Sequence, residues 1–188
     1  MTENRILQAI ADFIKEITSD DLLEKPNEDV NIESELVSPV VVVGYLPPKN
    51  FLPEGYDIPA VIVGMDDGED NDQDAFINVR ITIATYDPGE KNEVGLFIPD
   101  SKGYIDLLHM ITKIRTAISA EKIINGATTV NKPMRWGMYE EQPWPYWYGY
   151  IKFSARCSIQ LMQEKNSIDL KAWESHFEIP GKGIVKVL

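Results

Sequence analysis

Eleven residues in mid-chain, Phe76-Ile-Asn-Val-Arg-Ile-Thr-Ile-Ala-Thr-Tyr86, alternate in polarity and are rich in β-branched side chains. That pattern predicts a strand with Ile77, Val79, Ile81 and Ile83 on one face and Asn78, Arg80 and Thr82 on the other. A polar loop follows, and then Tyr104, Leu107, Leu108, Ile111, Ile114 and Ile118 recur at helical spacing from about Ser101. The simplest packing lays this apolar stripe on the Ile/Val face of the strand. Pattern and spacing therefore predict an α+β domain, without naming any chemistry.

The 188 residues are enough for one domain with a sizeable core. The net charge of −12 speaks against a general nucleic-acid binder, which would carry a basic face, but not against a protein that lets DNA pass without holding it. The single cysteine, Cys157, excludes an internal disulfide and a four-cysteine zinc site. It falls on the apolar face of a predicted strand and reads as a packed thiol. No apolar run approaches the roughly 20 residues that span a bilayer. The start, Met1-Thr-Glu-Asn-Arg5, lacks a basic segment followed by an apolar one, so a reducing cytoplasm is expected.

Ile6, Ile10, Phe13, Ile14 and Ile17 predict an amphipathic helix from near Thr2, narrow on its apolar side and expected at the domain edge or against a neighbouring subunit. Residues 19–38 are acidic and weakly patterned and read as a linker within a domain spanning 1–162. Val40 to Leu46 reads as a buried strand, closed by Pro47 and Pro48, and Ala60 to Met65 as another. Between them, the loop residues Phe51, Leu52, Tyr56 and Ile58 are apolar enough to lie against something.

The acidic run Asp66 to Asp74 holds Asp66, Asp67, Glu69, Asp70, Asp72 and Asp74. A calcium loop needs acids at positions 1, 3 and 5, Gly at 6 and Glu at 12. Counted from Asp70, the first three fit, but Ala75 and Ile81 occupy the others. The run reads as a solvated hairpin loop. Asp87-Pro-Gly89 starts a turn, and Asp100 or Ser101 is placed to cap the following helix. His109 lies off the stripe with no second ligand at useful spacing and reads as a surface or partly buried histidine.

Met134 to Tyr139 predicts a strand containing an awkward Gly137, and Glu140 to Pro145 a turn. Trp147, Gly149, Ile151, Phe153, Ala155, Cys157, Ile159 and Leu161 then share one face of a long strand, with Tyr148, Tyr150, Lys152, Ser154, Arg156, Ser158 and Gln160 on the other. At about 3.3 Å per residue this run would span about 50 Å, so a bend at Gly149 or a projecting hairpin is expected. With Trp147 pointing inward, Tyr146, Tyr148 and Tyr150 point away from the core. Residues 163–188 form a C-terminal extension ending in Ile184-Val-Lys-Val-Leu188, an apolar peptide suited to pairing with a sheet edge.

The order of elements, with Val79 to Tyr86, Gly103-Tyr-Ile-Asp-Leu-Leu108, Ile114-Arg115, and Trp136 followed by Glu140-Glu-Gln-Pro-Trp-Pro-Tyr-Trp-Tyr-Gly-Tyr150, resembles tail-terminator and minor tail proteins of tailed bacteriophages over roughly residues 59 to 162. The resemblance implies a mixed, mainly antiparallel sheet flanked by the N-terminal and central helices. It also implies a hexameric ring that caps the tail tube and meets the connector at the head, in a virion made in the cytoplasm of a bacterial host. It carries over no catalytic residue, cofactor or metal. Subunit contacts are then expected at Trp144, Tyr146, Tyr148 and Tyr150 and at the terminal Val185 and Val187. The acidic run is expected at the lumen or facing the tube, where like charge lets DNA phosphates pass untrapped. The runner-up is an acidic adaptor or inhibitor binding a basic partner. A metal-dependent hydrolase using the acidic run with His109 or His176 is disfavoured, because catalytic metal sites gather ligands from several elements.

Overall fold

A computed structural model describes residues 3–26, 35–45, 57–70, 74–98, 100–121 and 123–157. Among these residues two helices, α1 (Glu3–Ile17) and α2 (Lys102–Ala120), accompany nine strands. Five strands form the main sheet: β3 (Val40–Val43), β4 (Ala60–Asp70), β5 (Ala75–Tyr86), β8 (Thr128–Met138) and β9 (Tyr146–Cys157), in the order β3-β4-β5-β9-β8. β3 runs parallel to β4 and every other pairing in this sheet is antiparallel. The chain is thus α+β, with a mixed, mainly antiparallel sheet flanked by an N-terminal and a central helix. No helix among the described residues is long and apolar enough to cross a membrane.

Both helices lie on one face of the sheet, α1 over β3 and β4, α2 over β5, β9 and β8. β5 supplies Ile77, Val79, Ile81 and Ile83, none more than 5% exposed, and β9 supplies Ile151, Phe153 and Ala155. These are the faces that alternation predicts, and α2 covers them with Leu107, Met110, Ile111, Ile114 and Ile118. Two members of the predicted helical stripe differ. Tyr104 and Leu108 are 41% and 39% exposed, while Met110 is fully buried. The buried arc of α2 runs through Leu107, Met110, Ile111, Ile114 and Ile118, with Tyr104 and Leu108 at its margin. α1 packs on the outer side of the sheet, across β3 and β4, where Ile6, Ile10 and Ile14 are fully buried and complete the core.

The Val40–Val43 strand, expected to be buried, is the outer strand of the sheet among the described residues and is only half-buried, having β4 on one side alone. Within the linker-like stretch 19–38, β1 (Leu23–Glu24) pairs antiparallel with β2 (Leu36–Val37) and Leu23 is buried. β6 (Glu90–Lys91) and β7 (Phe97–Ile98) make a second small ribbon. Asp100, not Ser101, takes up the start of α2, accepting the Lys102 amide at 2.8 Å.

The bend expected at Gly149 is absent. β9 pairs with β5 in unbroken register from Tyr146 opposite Tyr86 to Arg156 opposite Phe76. Gly149 serves packing instead: a Cβ there would sit 2.7 Å from Ile111 Cδ1 and 3.2 Å from Leu107 Cδ1, so its absence lets α2 approach the sheet. The irregularities fall on the neighbouring strands, between Met65 and Asp67 in β4 and between Asn131 and Arg135 in β8. Ile159, Leu161, the C-terminal extension with Val185 and Val187, and Phe51, Leu52 and Tyr56 lie outside the described residues, as does the Cys157 thiol.

Candidate interaction face

The sheet face turned away from α1 and α2 carries the even-numbered residues of β5 and β9. Its two ends differ in chemistry. At one end the cross-strand rows are aromatic. Tyr86 lies opposite Tyr146, their rings 5.4 Å apart and tilted. Tyr148 lies opposite Ala84 and Tyr150 opposite Thr82. Tyr139, just past β8, meets the Tyr150 ring edge-on at 5.4 Å, and its hydroxyl lies 3.2 Å from Thr82 Oγ1. Gly137 is explained here as well, since a Cβ on it would press on the Tyr150 hydroxyl at 3.1 Å.

The turn leading into β9 is held by Gln142. Its Nε2 donates to the carbonyls of Tyr139 (2.7 Å) and Tyr148 (2.8 Å), and its Oε1 accepts the Tyr148 amide at 2.6 Å. Nothing in the local sequence pattern marks this residue; it acts as a stand-in for a missing strand neighbour. Trp144, at the tip, is half-exposed, and Tyr146, Tyr148 and Tyr150 are partly buried. Burial raises the Tyr148 phenol above its ordinary value, with the neighbouring Tyr146 adding to it. Tyr86 is raised by burial, then by Tyr146, Glu24 and Asp87.

At the other end the rows are charged. The first part of the acidic run is strand rather than loop: Asp66 to Asp70 continue β4, and Asp67 to Asp70 pair with Ala75 to Asn78. Asp66, thrown out by the β4 irregularity, takes Arg80 at 3.0 Å on one oxygen and Lys152 at 2.8 Å on the other. Asp67 accepts from Asn78 Nδ2, and Asn78 Oδ1 in turn accepts from Ser154. Asp74 pairs with Arg156. Glu69 and Asp70 stay exposed, and Asp72 lies outside the described residues.

Where the β4 and β8 irregularities face each other across β5 and β9, a cavity of about 320 Å³ opens, lined by Asp66, Asn78, Pro133, Arg135, Lys152 and Ser154 among others. Among the described residues no three His, Cys, Asp or Glu side chains are grouped so as to hold a metal ion. His109 is exposed on α2, 4.0 Å from Asp21, and His176 lies outside the described residues. The face thus carries an aromatic end and a charged end whose acids are paired within the chain.

No protein-family model matches the chain, and no curated protein matches it in sequence.

Proposed function

We propose that this protein is a structural ring subunit of a bacteriophage or prophage tail, a tail terminator that caps the tail tube and joins it to the head. The observation that carries the reading is the row of Tyr146, Tyr148 and Tyr150 on the helix-free face, flanked by Tyr86, Tyr139 and the half-exposed Trp144. Aromatic side chains supply large contact area with few rotors to immobilise, and they concentrate at the centres of protein interfaces. A ring needs such a patch to meet a different surface of the next copy, so that contacts close head to tail. The α+β sheet with two flanking helices is the architecture that the resemblance implies, and this agreement supports the reading at the level of fold.

In this reading the exposed Glu69 and Asp70, at the end of the β4–β5 hairpin, face the lumen or the tube. DNA passes them without gaining the counterion-release affinity that cationic groups would give. The tail-tube protein and the head connector are the partners, and the site of action is the virion tail. The adaptor reading is weaker. A surface that docks a basic partner needs free carboxylates, whereas Asp66, Asp67 and Asp74 are engaged by groups of this chain.

The test uses tube subunits from the same genome. Polymerised with this protein, they are expected to give tubes of arrested length bearing a terminal ring in negative-stain micrographs. Unchanged tube lengths and bare ends would overturn the assignment.

A further inference from the structure

Large apolar side chains scattered singly over a surface are ordinary, whereas a concentration of them marks a contact. Among the described residues thirteen large hydrophobic side chains are exposed, and six of them fall within 94–108: Val94, Leu96, Ile98, Tyr104, Ile105 and Leu108, from 39% to 83% exposed. They belong to two consecutive elements, the β6–β7 ribbon and the first turns of α2.

The ribbon holds its apolar side chains out on a turn that is satisfied from within. Asn92 Oδ1 accepts the amides of Val94 (3.0 Å) and Leu96 (2.9 Å). The Asn92 amide donates to the Leu96 carbonyl at 2.9 Å, and its carbonyl accepts the Gly95 amide at 2.9 Å. On α2, Ile105 lies two residues before the buried Leu107, about 200° round the helix, and so points away from the core. α2 covers one face of the sheet and the tyrosine row lies on the other. Ile105 and Tyr148 are thus on opposite sides of a two-layer domain. A head-to-tail ring needs two different surfaces, whereas the aromatic row meeting itself would close a pair and stop there.

The charges match in the same sense. Beyond Tyr150 on the sheet face, Arg80, Lys152 and Arg135 stand in one cross-strand row. Asp66 engages Arg80 and Lys152, and Arg135 has no acidic partner among the described residues. The apolar patch is bordered by Glu93, Asp100 and Asp106, and the cation among them, Lys102, is already paired with Glu24.

We infer that the apolar patch of one copy receives the Trp144–Tyr150 face of the next, its acidic border meeting the row that contains Arg135. This rests on the ring reading above and supplies the second half of its contact. Trp144 and the tyrosines bring aromatic area, and the Val, Leu and Ile side chains form the aliphatic surface on which it packs. Together they make the apolar centre of a contact that, in a stable pair, buries about 800 Å² on each partner.

Leu96→Glu and Ile105→Glu alter side chains that are 65% and 60% exposed, so both variants are expected to stay folded by circular dichroism. Under conditions where the wild type assembles, alone or on tube ends, each is expected to remain at the mass of one chain. Each keeps its aromatic face, and Tyr148→Glu keeps its patch. Mixed in equal amounts, Ile105→Glu and Tyr148→Glu are therefore expected to form a pair of chains that neither forms alone. Three results would overturn the pairing and leave the ring reading standing. One is a patch variant that assembles as fully as the wild type. Another is a patch variant that forms rings and fails only to arrest tubes, which would turn the patch toward the tube. The third is a mixture that stays at the mass of one chain. Loss of the fold in both patch variants would place the patch inside the subunit and overturn the pairing as well; if one alone loses its fold, the other carries the same test. Wild-type protein that stays at the mass of one chain even with tube subunits would instead remove the ring reading, and this contact with it.

Discussion

Asp66 and Arg80 meet at 3.0 Å on the helix-free face of the sheet, where the β4 irregularity turns the aspartate outward over its neighbouring strand. Lys152 of β9 takes the second carboxylate oxygen. One acid thus links three strands, and a run that is strongly acidic in the sequence is partly neutralised by strands that follow it.

All three partners of this cluster are partly exposed, so its contribution to stability is small. Asp66→Ala should cost about 1 kcal/mol or less in urea denaturation at low salt, and less in concentrated salt. A loss several times larger and insensitive to salt would mean that the cluster behaves as a buried network.

Gly149 is held to its size by α2. Gly149→Ala should destabilise the domain by about 1–3 kcal/mol, the usual range for overpacking, because Ile111 and Leu107 must move. Denaturation midpoints with unchanged slopes measure this, and a neutral result would show that α2 gives way freely.

The two faces of α2 are separated by neighbouring truncations. Met110→Ala removes a fully buried side chain and should cost about 2–5 kcal/mol. Leu108→Ala, at a position 39% exposed, should cost distinctly less. Equal losses would contradict the placement of Met110 inside the buried arc and Leu108 at its margin.

Alternation alone was enough to place Ile77 to Ile83 and Ile151 to Ala155 on the core face, since a strand's period is independent of what it packs against. The acidic run was less legible. Asp66 to Asp70 have little strand propensity, and they continue β4 because the Ala75–Asn78 backbone and the cations of β5 and β9 receive them. Gly149 looked like a bend because a glycine in a strand has two uses, a kink or a close approach, and only the helix above it distinguishes them. Gln142 carried no signal at all, since its three hydrogen bonds depend on how a turn brings Tyr139 and Tyr148 together.

The aromatic end of the face has its own pH signature. Burial raises the phenols of Tyr86 and Tyr148, with Tyr146 adding to both. A raised folded pKa for a phenol means that its ionised form is disfavoured in the fold, so stability falls as pH rises past the unfolded value. Ultraviolet titration of the native protein should show tyrosines that ionise later than in the denatured chain, and Tyr148→Phe should remove one of them. Superimposable native and denatured titrations would place both phenols in free solvent.

The central claim is that Tyr148 and its neighbours form the contact between copies, and the solution mass of Tyr148→Glu beside the wild type tests it most directly. The wild type is expected to assemble to six times the 21.3 kDa of one chain, alone or on tube ends. Tyr148→Glu is expected to stay at the mass of one chain while remaining folded by circular dichroism. A folded Tyr148→Glu protein that assembles as fully as the wild type, or a mutant whose only change is a lower melting temperature, would contradict the account.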